Sequence, residues 1–152
     1  MFTYPYPRML VTVDAVVFVI DKHNTPTHLL LIERGNDPFK GHYALPGGFP
    51  EMDELLVHAA TRELQEETGI SGLELRQIGA FDDIDRDPRD RNIAIAFWGV
   101  IRNAVNPTAG DDAAKAQWFP INQLPPLAFD HAKIVKAALD CLKEWFQTKN
   151  GR

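Results

Sequence analysis

A single cysteine, Cys141, stands in the whole of a 152-residue chain. It excludes an internal disulfide and leaves no CxxC pair for zinc or redox chemistry, so a reducing compartment, the cytoplasm by default, is the expected home. Long apolar runs are also missing. The most apolar N-terminal stretch, Met9 to Ile20, contains Asp14 and falls short of the roughly 20 residues that a membrane-spanning helix needs. With no basic leader or small-residue cleavage site ahead of it, no membrane partner is expected. Basic residues are in deficit: 16 Lys and Arg against 21 Asp and Glu leave a net charge of -5. That is the wrong sign for bulk nucleic-acid binding, which works by neutralising phosphates. An acidic protein that handles anionic phosphates needs cations as intermediaries. No internal repeat, linker or low-complexity segment is visible.

What is present is an ordinary globular composition, 45% hydrophobic and 24% charged, in a length that suits one domain. A single domain over residues 1–152 is expected, its first nine residues forming an extended arm because Pro5 and Pro7 push their predecessors out of helical conformation. Val11 to Ile20 is β-branched and nearly unbroken, the pattern of a strand buried on both faces. Asn24 and Pro26 mark a turn into a second strand, His28 to Glu33. A polar loop, Arg34 to Gly41, follows, and Leu45-Pro46-Gly47-Gly48 reads as a strand end and a breaker. Asp53 as N-cap and Gly69 just past the C-terminus bracket one helix. Strands are expected at Leu73 to Phe81, Asn92 to Ile101 and Gln117 to Phe119, with a charged loop from Asp82 to Arg91. A final helix starts at Asp130, its apolar positions Ile134, Val135, Ala138, Leu139, Leu142 and Trp145 recurring at helical spacing. Interleaved strands and helices define an α/β class.

The first helix carries an anomaly. Leu56, Ala60 and Leu64 share the stripe that a core would claim, and Glu63 and Glu67 fall on that same stripe, with Glu66 slightly further round. Like charges four apart repel. The helix dipole disfavours anions near a C-terminus by about 0.3 to 1 kcal/mol each, and carboxylates near a core lose hydration. Arg62 offsets one of these charges at i,i+4 to Glu66, but one arginine does not balance three glutamates. A hard divalent cation with oxygen ligands is the simplest remedy, and Mg2+ suits a site that keeps waters and engages phosphates. A solvated acidic face is the plainer alternative for any glutamate cluster.

The surrounding residues form a signature: Gly48, five residues, Glu54, seven residues, then Arg62-Glu63-Leu64-Gln65-Glu66-Glu67-Thr68-Gly69-Ile70. This resembles the Nudix box at every defined position. The resemblance implies an α/β/α sandwich around a central mixed sheet and a pyrophosphohydrolase acting on a diphosphate linked to another moiety. It implies that Glu63, Glu66, Glu67 and Glu54 hold Mg2+, with Mn2+ as a substitute, near the Gly47 backbone. Glu66 and Glu67 would then be the most direct catalytic ligands, and Arg62 would orient a glutamate. Gly47 and Gly48 let the backbone approach the metal site. Related enzymes place the base outside the box; Asp111 and Asp112 are the candidates here, Asp112 preferred.

Beyond the box, Val13-Asp14-Ala15-Val16-Val17, Leu31-Ile32-Glu33-Arg34-Gly35, Asp85-Arg86-Asp87-Pro88-Arg89, Trp118-Phe119 and Ala128-Phe129-Asp130-His131 are similar to the ADP-ribose pyrophosphatase branch. Where that branch commonly has a proline, this chain has Ile84 and Asp85. The implied reaction is ADP-ribose to AMP and ribose 5-phosphate, and a homodimer is the family inference. The alternatives are cleansing of oxidised nucleoside triphosphates and a non-catalytic ADP-ribose-sensing module. Arg34 is a candidate bidentate phosphate contact. Arg86 and Arg89 either reach the substrate or decorate a solvated hairpin. Phe39, Tyr43 and Phe129 are candidates to stack on a base, although lone aromatics more often belong to a core, and His131 is expected to cap or decorate the last helix.

Overall fold

The computed structural model describes residues 1–110 and 113–150. Its elements are β1 (Leu10–Ile20), β2 (Pro26–Arg34), β3 (Tyr43–Ala44), β4 (Gly47–Gly48), α1 (Leu56–Thr68), β5 (Arg76–Phe81), β6 (Asn92–Ile101), β7 (Ala113–Pro120) and α2 (His131–Asn150). They build one mixed sheet in the order β3-β2-β1-β6-β5, with β7 also on β2 and β4 also on β1. The β1–β6 ladder is parallel, running from Leu10 opposite Asn92 to Val19 opposite Ile101.

Strand periodicity explains the layering. Val13, Ala15 and Val17 of β1 pack with Ala59, Ala60 and Leu64 of α1, whereas Val16, Phe18 and Ile20 pack with Ile134, Val135, Ala138 and Leu142 of α2. Alternate residues of one strand thus feed two cores, which is why β1 reads as a continuous apolar run. Asp14 falls on the even-numbered face, toward the start of α2.

A split in the sheet makes room for a cavity. β1 pairs with β2 only through Phe18, Val19 and Ile20, and β4 takes the place of β2 beside Val13 and Asp14. Further along, β2 turns to β7, from His28 opposite Pro120 to Arg34 opposite Ala113. β7 is accordingly longer than the short strand read at Gln117 to Phe119, because backbone pairing with β2 extends it past its apolar residues.

Helix α1 begins later than the Asp53 cap implied. Leu55 sits at the N-cap with no side-chain cap, since Glu51 to Glu54 form a turn in which the Glu51 amide donates to the Glu54 carboxylate at 3.0 Å. At the other end Gly69 adopts φ 74°, the left-handed value expected of a C-terminal glycine. The loop after β6 satisfies further α1 carbonyls: the Thr108 amide donates to Thr68 O at 2.8 Å and the Gly110 amide to Glu67 O at 3.1 Å. A Cβ on Gly110 would overlap the Glu66 carbonyl. Among the described residues no helix is long and apolar enough to cross a membrane.

Candidate functional site

The cavity at the split has a volume of about 330 Å³ and takes walls from both faces of the sheet. On the α1 side Glu63 and Glu67 line it, with Gly47 and Gly48. Both glycines are required by contact. A Cβ at Gly48 would lie 2.5 Å from the Glu63 carboxyl carbon, and one at Gly47 would strike the Val13 carbonyl and lie 2.5 Å from Asp14 Oδ1. The Gly47 amide donates to Glu67 Oε1 at 2.8 Å, so the two-residue strand β4 ties the sheet to the acidic helix.

Arg62 stands behind this wall. Its Nε and Nη2 bind both Glu54 oxygens at 2.8 and 2.9 Å, its Nη1 reaches Glu63 at 2.9 Å and Glu66 at 3.2 Å, and Nη2 donates to Phe49 O. The guanidinium holds the Glu54 carboxyl down at about 2, helped by the Glu51 amide, while partial burial pushes Glu63 upward against the same arginine. As arranged, three glutamates point at a cation that the chain itself supplies. Among the described residues no three His, Cys, Asp or Glu side chains converge closely enough to hold a metal. The donor chemistry nevertheless fits a hard divalent ion: carboxylate oxygens of Glu63 and Glu67 on the cavity wall, Glu54 and Glu66 beside them, and a glycine pair leaving the approach open. Arg62 takes both oxygens of Glu54 but only one each of Glu63 and Glu66, so Glu63 and Glu66 keep an oxygen for an ion while held by Arg62, and Glu54 alone must turn from it.

On the α2 side the lining residues are Asp14, Arg86, Phe129 and His131. Asp14 is 6% exposed and His131 5%. The Leu45 amide donates to His131 Nδ1 at 3.0 Å, and Nε2 lies 3.7 Å from Asp14 Oδ1. Burial raises the Asp14 carboxyl from 3.8 to about 7, against an opposing pull from Arg86. Burial likewise lowers His131 from 6.5 to about 3. His131 is the first residue of α2, but its ring is buried at the cavity floor and does not decorate the helix end.

The Asp82–Arg91 loop folds inward at its centre. Arg86, its side chain 3% exposed, binds Asp130 in a fork, Nε to Oδ2 at 3.0 Å and Nη2 to Oδ1 at 2.7 Å. Asp87 grips Arg89 at 3.0 and 2.8 Å and accepts from Asn92; these bonds outweigh burial and bring its carboxyl to about 2. Arg34 donates from Nε to Pro38 O at 2.7 Å and lies 4.9 Å from the Phe129 ring centre, with Arg89 at 5.6 Å from the same ring. Burial and the charge of Arg89 push the Arg34 guanidinium down.

Sequence reasoning placed Glu63, Glu67, Gly47, Gly48, Arg34, Arg86, Arg89 and Phe129, all of which line this cavity. Glu54, Glu66 and Arg62 stand behind it. Phe39 does not line it; it meets the edge of Phe129 at 4.8 Å and packs into the small core of Ile32, Ala44, Ala113 and Ala128, a support rather than an open stacking face. Asp111 and Asp112 lie outside the described residues. Missed altogether were Asp14, Asp87 and Asn92. The available signal for Asp14 was a lone charge in a strand that otherwise reads as buried on both faces.

The family model for the NUDIX domain matches residues 10–138. The chain is 44% identical over 138 residues to the ADP-ribose pyrophosphatase of Methanocaldococcus jannaschii, covering 90% of this chain and 75% of that protein. It is 34% identical to the ADPR responsive transcriptional repressor NtrR of Acinetobacter baylyi, spanning 88% of this chain but 54% of the repressor. Among solved structures, the NUDIX domain of Shewanella oneidensis NrtR complexed with ADP ribose superposes with a TM-score of 0.82 at 28% identity, over 92% of this chain and 94% of that one. A match across most of the chain, carried by an intact box on α1, settles the lineage: this protein belongs to the Nudix family.

Proposed function

We propose that this chain is a Mg2+-dependent pyrophosphohydrolase that cleaves ADP-ribose to AMP and ribose 5-phosphate. The observation that carries the reading is one cavity whose α1 wall presents Glu63 and Glu67 and whose opposite wall presents Arg34, Phe129 and Arg89. The first wall suits a cation and the second an anionic aromatic substrate. Its 44% identity to an ADP-ribose pyrophosphatase supports the choice of substrate. Glu63, Glu66, Glu67 and Glu54 would hold the ion, together with the Gly47 backbone. When bound, a divalent cation neutralises diphosphate oxygens and makes water a stronger acid.

The chain's own residues do the rest. Arg34 supplies a guanidinium to the phosphates, Phe129 an aromatic face, and Arg62 orients Glu63 and Glu66 through one oxygen of each. Water attacks one phosphorus, the bridging P–O bond breaks, and the departing phosphate leaves as its ester; Asp112 is the preferred acceptor of the water proton. The protein acts as one domain in the cytoplasm and pairs as a homodimer through its arm, where Phe2, Tyr6 and Met9 are exposed.

The test is a panel of ADP-ribose, NADH, diadenosine polyphosphates and 8-oxo-dGTP with Mg2+ or Mn2+. ADP-ribose should give the highest kcat/KM. Equal or better turnover of 8-oxo-dGTP would move the protein to nucleotide cleansing, and tight ADP-ribose binding without turnover would make it a sensor. Glu66→Gln and Glu67→Gln should each cut turnover; full activity in both would remove the proposed metal site.

A further inference from the structure

On the cavity floor lies a polar pair that the hydrolytic chemistry leaves unused. Asp14 comes from β1 and His131 from the start of α2, both more than nine-tenths buried and both lining the cavity. The Leu45 amide points its proton at His131 Nδ1, so that nitrogen is the acceptor and a neutral ring carries its hydrogen on Nε2. Nε2 faces Asp14 Oδ1 across 3.7 Å, too far for a hydrogen bond. The Asp14 carboxyl has no other partner within bonding distance among the described residues. The nearby cation, Arg86, is committed to Asp130 through both arms of its fork.

An N–H donor and a carboxyl acceptor separated by this gap complement a single atom that donates and accepts at once. A hydroxyl and a water are such groups, and only the hydroxyl belongs to a substrate: an oxygen about 2.8 Å from each atom spans the 3.7 Å gap with a tightly bent geometry. Backbone amides and phosphate oxygens do not combine both roles on one atom. Gly47 keeps the approach clear, since a Cβ there would crowd Asp14 Oδ1. A polar wall lies alongside, with Thr12 Oγ1 bonded to Asn92 at 3.3 Å and Asn92 bonded to Asp87 at 3.4 Å.

We propose that Asp14 and His131 form a hydroxyl-recognition subsite, in which a sugar hydroxyl of the substrate donates to Asp14 Oδ1 and accepts from His131 Nε2–H. The subsite rests on the ADP-ribose reading for the identity of that sugar, and it makes the cavity selective for ribosyl over deoxyribosyl compounds.

The decisive experiment compares ADP-ribose with two analogues, one lacking the terminal-sugar hydroxyls and one with 2′-deoxyadenosine, on the wild-type protein and on His131→Phe and Asp14→Ala. In the wild type one analogue should show KM raised by about tenfold or more with kcat little changed. That penalty should shrink to under about threefold in either variant, because the partner of the missing hydroxyl has already gone. A purely structural pair would lower activity on all three substrates equally. Equal KM values for all three in the wild type, or an undiminished penalty in both variants, overturn the proposal. Should ADP-ribose prove not to be a substrate, the functional reading falls and the subsite is judged by calorimetry. Tighter binding of ribose 5-phosphate than of 2-deoxyribose 5-phosphate, or of AMP than of 2′-deoxy-AMP, then upholds it, and no discrimination refutes it.

Discussion

Asp14 and His131 have opposite titration shifts, and their opposition predicts a masked pH dependence of stability. The Asp14 carboxyl rises from 3.8 to about 7 on folding, so its contribution is greatest below 3.8 and is lost as pH rises through 7. His131 falls from 6.5 to about 3, so its contribution is present above 6.5 and is lost as pH falls toward 3. At pH 5 the native protein carries the pair's proton on Asp14, whereas the unfolded chain carries it on His131. The proton count is the same, and the wild-type stability is nearly flat in this pair between pH 5 and 6. Removing one member exposes the other. From the shifts, Asp14 contributes about 2 to 3 kcal/mol at pH 5 relative to pH 8, and His131 takes away about 2 kcal/mol. Urea unfolding from pH 5 to 8, without divalent metal, should therefore show the Asp14→Asn variant losing about 2 to 3 kcal/mol relative to wild type on acidification. His131→Phe should gain about 2 kcal/mol relative to wild type over the same range. Each shift is dominated by burial, so it survives loss of the neighbour. Gaps that stay constant with pH, or that move in the same direction for both variants, would refute the reasoning.

Three further outcomes follow from contacts on the α1 side. Gly48→Ala places a methyl 2.5 Å from the Glu63 carboxyl carbon; circular dichroism should show a folded protein whose metal titration is weakened by about tenfold or more. Arg62→Lys cannot reproduce the fork on Glu54 while also reaching Glu63, and should weaken metal affinity by about 10- to 100-fold, checked by the Mg2+ concentration for half-maximal rate. Gly110→Ala collides with the Glu66 carbonyl and should destabilise by about 1 to 3 kcal/mol in thermal unfolding; an unchanged melting temperature would show the loop free to leave the helix.

The acidic end of the site was legible because helical periodicity fixes which face a residue takes: Glu63 and Glu67 share a stripe with Ala60 and Leu64 however the rest folds. The strands were legible for the same reason, and β1 and β6 fall within a residue of their expected ends. Asp14, Asp87 and His131 were not, since their meaning depends on β4 entering the sheet beside Asp14 and on a loop docking Arg86 onto Asp130. Those contacts join residues more than 30 apart in sequence, beyond the reach of any local period. For Phe39 the two readings are not separable in sequence, because an aromatic lining a cavity and one packed behind its lining look alike there; it packs against Phe129 and a small core.

The sheet works as a partition. Glutamates reach the cavity from α1 on one face, while His131 arrives from α2 on the other, with Phe129 and the Asp130 clamp on Arg86 just ahead of it. The two sets share backbone through β1 and β4 but no hydrophobic core. Such a division means that a substitution on the α2 side of the cavity can change what lines it there without disturbing the packing of α1 against the sheet.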